Sequence, residues 1–164
     1  VPVSVNVSRG DMFDQNLPLV LEDILQEYRI TSEDLRLEVT ESAYSQDSVQ
    51  IIFVVERLRA LGFKVEMDDF GSGYSSLNML KDIPFDVLKI DMAFLEKTEN
   101  VTRSKIILKS IVEMATALEI DVITEGVETK EQADYLNSIG CNLFQGYYFD
   151  RPMPISDFET KYLK

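Results

Sequence analysis

Histidine is absent from this 164-residue sequence, and cysteine occurs once, at Cys141. Without histidine the chain cannot use Ser-His-Asp or Cys-His catalysis, and it lacks the imidazole ligands that zinc sites favour. One thiol forms neither an internal disulfide nor a thiolate metal cluster, and a lone thiol is typical of a reducing compartment. The residue content therefore predicts a cytoplasmic location and disfavours zinc chemistry.

Long apolar runs are also missing, since no uninterrupted stretch reaches the roughly eighteen residues of a membrane span. The first residues, VPVSVNVSR, lack both an initiating Met and the layout of a signal peptide. Because they read as part of a strand, we expect the chain to be a piece of a longer protein. With 7 Gly, 5 Pro and 45% hydrophobic residues, the composition predicts a folded domain rather than a disordered tail.

Basic residues are scarce, with 16 Lys and Arg against 29 Asp and Glu, which gives a formal net charge of −13. A surface of that sign repels the phosphate backbone of nucleic acids, so DNA and RNA are poor candidate partners. A small phosphate ligand stays compatible with the composition if a bound cation or a local basic group offsets the acidity of its pocket.

Extended, β-branched runs alternate with amphipathic helical runs along the whole sequence. The predicted strands are 1–8, 35–42, 64–70, 87–92, 121–127 and 143–149, and the predicted helices are 18–29, 48–62, 75–83, 102–119, 130–140 and 155–163. In the helix 102–119 we expect the buried face to follow Ile107, Ile111, Met114 and Leu118.

Six successive βα units predict right-handed crossovers, a parallel sheet and an α/β fold. No linker divides residues 1–164, so we expect one domain. An open doubly wound sheet and a (β/α)₈ barrel both suit the pattern, and 164 residues would form about three-quarters of a barrel of typical size, about 250 residues.

Polar side chains stand near the carboxyl end of every predicted strand, the edge where parallel α/β folds build active sites. They are Asn6, Glu38, Asp68, Asp69, Lys89, Asp91, Glu125 and Gln145. Carboxylates and an amide, without histidine or thiolate, are hard oxygen ligands that suit Mg²⁺ or Mn²⁺. Parallel strands are usually apolar on both faces, so a repeated polar face needs an explanation such as a metal site.

Each of these groups also has a purely structural interpretation. Asp68 and Asp69 could cap a helix, Lys89 and Asp91 could form an internal ion pair, and Glu38 and Glu41 could lie in solvent at a strand end. All of these interpretations would have to hold together on six strands. The segment GSGYSS (71–76) lacks the lysine of a phosphate-binding P-loop, and we interpret it as a mobile loop with glycine hinges over the carboxylates.

Six stretches resemble, in order and spacing, the motifs of the EAL domain, a bacterial cyclic di-GMP phosphodiesterase. They are SVNVS (4–8), LEVTES (37–42), MDDFGSGYSSL (67–77), FDVLKID (85–91), TEGVET (124–129) and FQGYYFDRPMP (144–154). The resemblance implies a modified (β/α)₈ barrel with two Mg²⁺ or Mn²⁺ ions that opens the cyclic dinucleotide to linear pGpG.

The resemblance also implies roles for individual residues. The ligands of one ion would be Asn6, Glu38 and Asp68, and those of the second would be Asp68, Asp69 and Glu125. Lys89 would hold the attacking water, with Lys89 or Glu125 as proton acceptor, and Asp91 and Gln145 would contact the substrate. Glu41 would anchor the loop 70–77, a segment linked in the family to metal binding and dimer contact.

The Glu-Ala-Leu tripeptide that names the family does not occur in the sequence, and its glutamate is a metal ligand in the family. We therefore expect an incomplete barrel without the first two strands, which by itself hydrolyses cyclic di-GMP poorly or not at all. The alternatives are a non-catalytic cyclic di-GMP receptor or protein-interaction module, and a generic Mg²⁺ barrel in which Lys89 abstracts a proton beside a carboxylate. We also expect an upstream sensory or diguanylate-cyclase-like domain, a parent protein that could be membrane-anchored, and a homodimer as one option.

Overall fold

The computed structural model describes residues 2–44, 48–71, 76–92 and 101–163. Six strands form a single sheet in which every neighbouring pair is parallel and the spatial order follows the chain order. The strands are β1 (Val3–Asn6), β2 (Leu35–Thr40), β3 (Lys64–Asp68), β4 (Val87–Asp91), β5 (Asp121–Glu125) and β6 (Leu143–Phe144). The result is an α/β half-barrel, which confirms the predicted incomplete barrel of six βα units.

Helices connect the strands at the positions that the apolar periodicity predicts. They are α1 (Arg9–Met12), α2 (Leu17–Tyr28), α3 (Glu41–Tyr44), α4 (Ser48–Ala60), α5 (Ser76–Asp82), α6 (Val101–Ala117), α7 (Lys130–Ser138) and α8 (Ile155–Tyr162). The short helices α1 and α3 and a 3₁₀ turn at Ser32–Asp34 were not predicted, because single turns are too short to show a period. No helix among the described residues is long and apolar enough to cross a membrane.

The helix α4 shows how the sequence determines which face of a helix is buried and where the helix ends. Ile51, Val55 and Leu58 recur at helical spacing, and all three are fully buried. The helix stops where Gly62 adopts a left-handed φ of 89°, and the Phe63 N–H donates back to the Leu58 carbonyl at 3.1 Å. Glycine takes this conformation without steric cost, so the chain turns directly into β3.

The buried face of α6 is offset from the prediction. The residues that the fold buries are Ser104, Leu108, Val112 and Ala115, whereas Ile107 is 40% and Leu118 49% exposed. Both sets have helical spacing, so periodicity alone could not choose between them. The prediction for Ile107 and Leu118 was therefore wrong, since contact with β5 selects the neighbouring stripe.

The core lies around the central strands. On β2, Leu37 and Val39 are fully buried while Arg36, Glu38 and Thr40 are half-buried on the other face, as strand alternation requires. The edge strands differ, since the Val3 side chain is 62% exposed and Leu143 is 46% exposed. They are also shorter than predicted, at Val3–Asn6 and Leu143–Phe144, although one further backbone hydrogen bond joins each to its neighbour, from the Val7 N–H to the Glu38 carbonyl and from the Gln145 N–H to the Thr124 carbonyl.

The strand register brings the predicted polar residues to one edge of the sheet. Asn6 lies opposite Glu38, Thr40 lies opposite Asp68, and Asp91 lies opposite Glu125. These pairs occupy the carboxyl ends of parallel strands, where α/β folds place their active sites.

Candidate active site

Lys89 is the centre of the polar groups at this edge. Its side chain is only 4% exposed, and its Nζ lies 2.7 Å from Glu38 Oε1, 2.7 Å from Glu125 Oε1 and 3.7 Å from Asp68 Oδ1. The three carboxylates come from β2, β5 and β3, so one ammonium group gathers side chains from three other strands. We call these four residues the Lys89 cluster.

The Lys89 cluster carries more negative than positive charge. Burial by itself would lower the pKa of Lys89, but hydrogen bonds to Glu125 and Glu38 outweigh burial and raise that pKa, so the ammonium stays protonated. Burial raises the pKa of Glu125, and the charges of Asp68 and Glu38 add to the effect against the opposing contact with Lys89. The ion pair that was considered between Lys89 and Asp91 is replaced by contacts of Lys89 with Glu38, Glu125 and Asp68, and these three carboxylates exceed what one cation neutralises.

Asp68 and Asp69 follow each other at the end of β3, and neither caps a helix in the part of the chain that the structure describes. The helix α5 begins only at Ser76, and Gly71 is still in a turn. Asp69 has a left-handed φ of 58°, a conformation that Asp and Asn tolerate better than other non-glycine residues, and its N–H donates to Asp68 Oδ1 at 2.9 Å. Burial, followed by the charges of Asp68 and Asp91, raises the pKa of Asp69.

The remaining predicted ligand, Asn6, ends β1 and is exposed. Its place in the register is opposite Glu38. The backbone therefore continues the row of predicted ligands onto a third adjacent strand, next to β2 and β3. The side-chain amide is open to an approaching group from solvent.

Glu41 stands at the start of α3 and is only 3% exposed. Its Oε2 accepts a hydrogen bond from the Gly71 N–H at 3.1 Å. This contact joins the end of β2 to the beginning of the loop that follows β3. The rest of the predicted glycine-hinged loop, 72–75, lies outside the described residues, so the predicted hinge motion stays a prediction.

Gln145 and Asp91 complete the predicted set at the same edge. The Gln145 backbone N–H donates to the Thr124 carbonyl at 2.9 Å, and its own carbonyl accepts from Val127 at 3.1 Å, while the side chain is exposed. A Cβ at Gly146 would lie 2.2 Å from the Val127 carbonyl oxygen, so only glycine permits this close approach. The glycine therefore holds Gln145 beside the strand that carries Glu125.

The donor set fits a hard divalent cation, because the five predicted ligands offer only carboxylate and amide oxygens. Four of the five are carboxylates, and Lys89 compensates only one of their negative charges. The spacing in the structure is that of a cluster bridged by an ammonium group. Across the described part of the chain, no three acidic groups stand close enough to enclose an ion by themselves. The fit thus rests on donor chemistry and on the convergence of Glu38, Asp68 and Glu125.

One buried polar group was not among the predicted site residues. Glu66 on β3 is fully buried, where Arg36 and Ser4 from the two preceding strands contact its carboxylate. The available signal was period-two alternation, which puts Glu66 on the same face as Asp68. That pattern does not reveal which partners a buried charge will find.

Comparison with known proteins agrees with the resemblance of the sequence motifs to the EAL domain. The chain is 36% identical over 160 residues to a cyclic di-GMP phosphodiesterase, PdeR, of Escherichia coli, covering 98% of this chain and 24% of that protein. The chain spans only 19–24% of the length of the first curated relatives that it matches.

Solved structures agree in fold as well. The EAL enzyme Bd1971, in a form bound to cAMP and cyclic di-GMP, superimposes with a TM-score of 0.91 at 33% identity, covering 97% of this chain and 42% of that chain. A manganese and cyclic di-GMP complex of Klebsiella pneumoniae BlrP1 gives a TM-score of 0.85 at 32% identity, covering 92% and 39%. A model of the EAL domain matches residues 1–152, and the chain therefore belongs to the EAL domain family.

Proposed function

We propose that this chain is a metal-dependent phosphodiesterase module that hydrolyses cyclic di-GMP to linear pGpG. The observation that carries the proposal is the convergence of Glu38, Asp68 and Glu125 on Lys89 at the carboxyl ends of parallel strands. Membership of the EAL domain family and the phosphodiesterase relatives support it.

We propose two Mg²⁺ or Mn²⁺ ions as cofactors. Asn6, Glu38 and Asp68 would hold one ion, and Asp68, Asp69 and Glu125 would hold the other. Solved relatives in complex with cyclic di-GMP and calcium or manganese support a divalent cation. When bound, the ions would supply charge for the phosphodiester oxygens and acidify the attacking water. This explains how a chain of net charge −13 accepts an anionic ligand.

The side chains divide the proton chemistry between them. Lys89 is protonated, so it acts as a hydrogen-bond donor that orients the water or a phosphate oxygen rather than as a base. Glu125 accepts the proton, a role that suits a carboxyl whose pKa is raised by burial. The same charge state disfavours the alternative in which Lys89 abstracts a proton from a carboxylic-acid substrate.

We assign substrate contact to Gln145 and Asp91, and the anchoring of the loop after β3 to Glu41. Gln145 follows β6 next to the strand that carries Glu125, and its exposed side chain is available to a ligand. Since the curated relatives are several times longer than this chain, we further propose that a sensory or cyclase-like domain works beside it in the cytoplasm.

A hydrolysis assay with product identification tests the proposed function. We expect the chain to convert cyclic di-GMP to pGpG in Mn²⁺ but not in EDTA. The rate should be low, because the sequence does not contain the glutamate of the Glu-Ala-Leu tripeptide that names the family. Glu125→Gln should abolish turnover. The matched control Glu113→Gln changes an exposed carboxylate on α6 and should leave turnover unchanged. Cyclic di-GMP binding without Mn²⁺-dependent turnover would overturn the enzymatic proposal in favour of a receptor.

A further inference from the structure

Three strands of the half-barrel are joined by one buried carboxylate. Glu66 on β3 has no exposed surface. Its Oε1 lies 3.0 Å from Arg36 Nη1 on β2, and its Oε2 accepts a hydrogen bond from Ser4 Oγ on β1 at 2.9 Å. Both oxygens are therefore engaged, each by a different strand. We call these three residues the Glu66 clamp.

The Glu66 clamp lies one layer below three predicted ligands of a single ion. Each member precedes a predicted ligand by two positions on its own strand, and the pairs are Ser4 with Asn6, Arg36 with Glu38, and Glu66 with Asp68. Residues two apart on a strand point to the same face and are separated by about 7 Å along it. Counted along each strand, the clamp is thus the layer before the ligand row on the same face of the sheet, while across the strands Glu66 is in register with Glu38 and Asn6.

The Glu66 clamp is electrically neutral, whereas the Lys89 cluster at the ligand row is negative. Arg36 neutralises Glu66, so the lower layer adds no net charge beneath the negative Lys89 cluster. A fully buried carboxylate without a partner would cost far more than a paired one. Sliding of β1 or β2 against β3 would break these contacts, so the clamp opposes relative movement of the three strands.

We propose that the Glu66 clamp is a set of positioning residues that fixes the spacing of Asn6, Glu38 and Asp68 for a divalent cation. The inference rests on the proposed function, because it concerns the ion that this function requires. It goes further by assigning to Ser4, Arg36 and Glu66 a role in metal affinity that they exert through the strands. None of the three touches the ion or the substrate.

Mn²⁺ titration calorimetry of the chain without substrate, paired with thermal unfolding in EDTA, tests this role. Glu66→Gln should raise the Mn²⁺ dissociation constant about tenfold or more, the range seen when groups behind metal ligands are changed. Ser4→Ala keeps both charges and should show a smaller rise in the same direction, which keeps the test decisive if Glu66→Gln fails to fold. Arg36→Lys keeps the positive charge and should retain most of the affinity.

The matched control is Asp86→Asn. Asp86 is paired with Arg59 at the opposite end of the strands, so this variant removes a similar ion pair away from the ligand row. It should unfold at a lower temperature yet bind Mn²⁺ as the parent chain does. The double variant Arg36→Met/Glu66→Leu removes both charges and should regain thermal stability without regaining Mn²⁺ affinity.

The Mn²⁺ affinities distinguish a failure of the positioning role of the Glu66 clamp from a failure of the proposed function. If the parent chain binds Mn²⁺ and Glu66→Gln binds it equally well, the clamp has only a structural role and the inference is overturned while the proposed function stands. Full recovery of affinity in the double variant would overturn it in the same way. If the folded parent chain binds no Mn²⁺, the proposed metal site itself fails and takes the inference with it.

Discussion

The two ends of the same parallel sheet differ in how far their buried and half-buried charges are paired. At the amino ends, Asp86 just before β4 accepts hydrogen bonds from Arg59 Nη2 at 3.1 Å and from the Val65 N–H at 2.9 Å. At the carboxyl ends, three carboxylates share Lys89. One end balances its charge and the other accumulates it.

This difference separates charge that supports the fold from charge that is available to the proposed metal site. A paired carboxylate with extra donors can be explained by stability alone. Like charges that are gathered in a half-buried place are costly, and such clusters are typical of functional sites. Substitutions at each end of the sheet test this difference through their effects on stability and on Mn²⁺ affinity.

The largest effect is expected from Lys89→Met at the carboxyl end. Three half-buried carboxylates would lose their counter-ion, and the metal-free free energy of unfolding should fall by about 3–5 kcal/mol. Mn²⁺ should restore more stability to this variant than to the parent chain, because the ion replaces the lost charge and binds only the folded state. Chemical denaturation with and without Mn²⁺ measures both.

The control for that variant is Lys109→Met, which breaks an exposed ion pair on α6. It should change stability by less than about 1 kcal/mol, as exposed pairs do. Equal losses in the two lysine variants would contradict the special role of Lys89 as counter-ion.

A smaller effect is expected at the amino end from Asp86→Ala. The variant leaves Arg59 and the Val65 N–H without their acceptor, which should cost about 1–3 kcal/mol. Urea unfolding gives this value, and calorimetry should give an unchanged Mn²⁺ affinity. A loss of Mn²⁺ binding here would remove the distinction between the two ends.

The smallest change in stability is expected from Asp69→Asn. Partial burial and neighbouring carboxylates raise the pKa of Asp69, so removing its charge should stabilise the metal-free chain. The gain should be only a few tenths of a kcal/mol, because most of this residue is exposed to solvent. Asn tolerates the left-handed backbone at this site, so strain should not obscure the result. Mn²⁺ affinity should nevertheless fall. A variant that is less stable and binds Mn²⁺ normally would show that the charge of Asp69 is structural.

Much of this contrast could be predicted from the sequence. The period of the apolar residues gave the order of strands and helices, and parallel topology then placed Glu38, Asp68 and Glu125 at one edge. These predictions worked because they depend on local spacing and on a general rule of the fold.

The partners of buried charges could not be predicted in the same way. One structural interpretation paired Lys89 with Asp91 on its own strand, yet the Lys89 ammonium contacts side chains from three other strands. The Arg36 contact with Glu66 joins residues thirty positions apart. Such pairings depend on sheet register and side-chain rotamers, which a single sequence does not specify. The buried face of α6 could not be predicted for a similar reason. Two sets of its residues have helical spacing, and only the packing of the helix against β5 determines which set is buried.

The backbone at Asp69 has a consequence for natural variation at that position. A left-handed φ of 58° is comfortable for Gly, Asn and Asp and strained for β-branched or bulky residues. Of those three, only Asp carries a carboxylate. We therefore expect related chains that have lost the proposed hydrolysis to carry Asn or Gly at this position. Either residue keeps the turn while it removes the carboxylate that the proposed metal site requires.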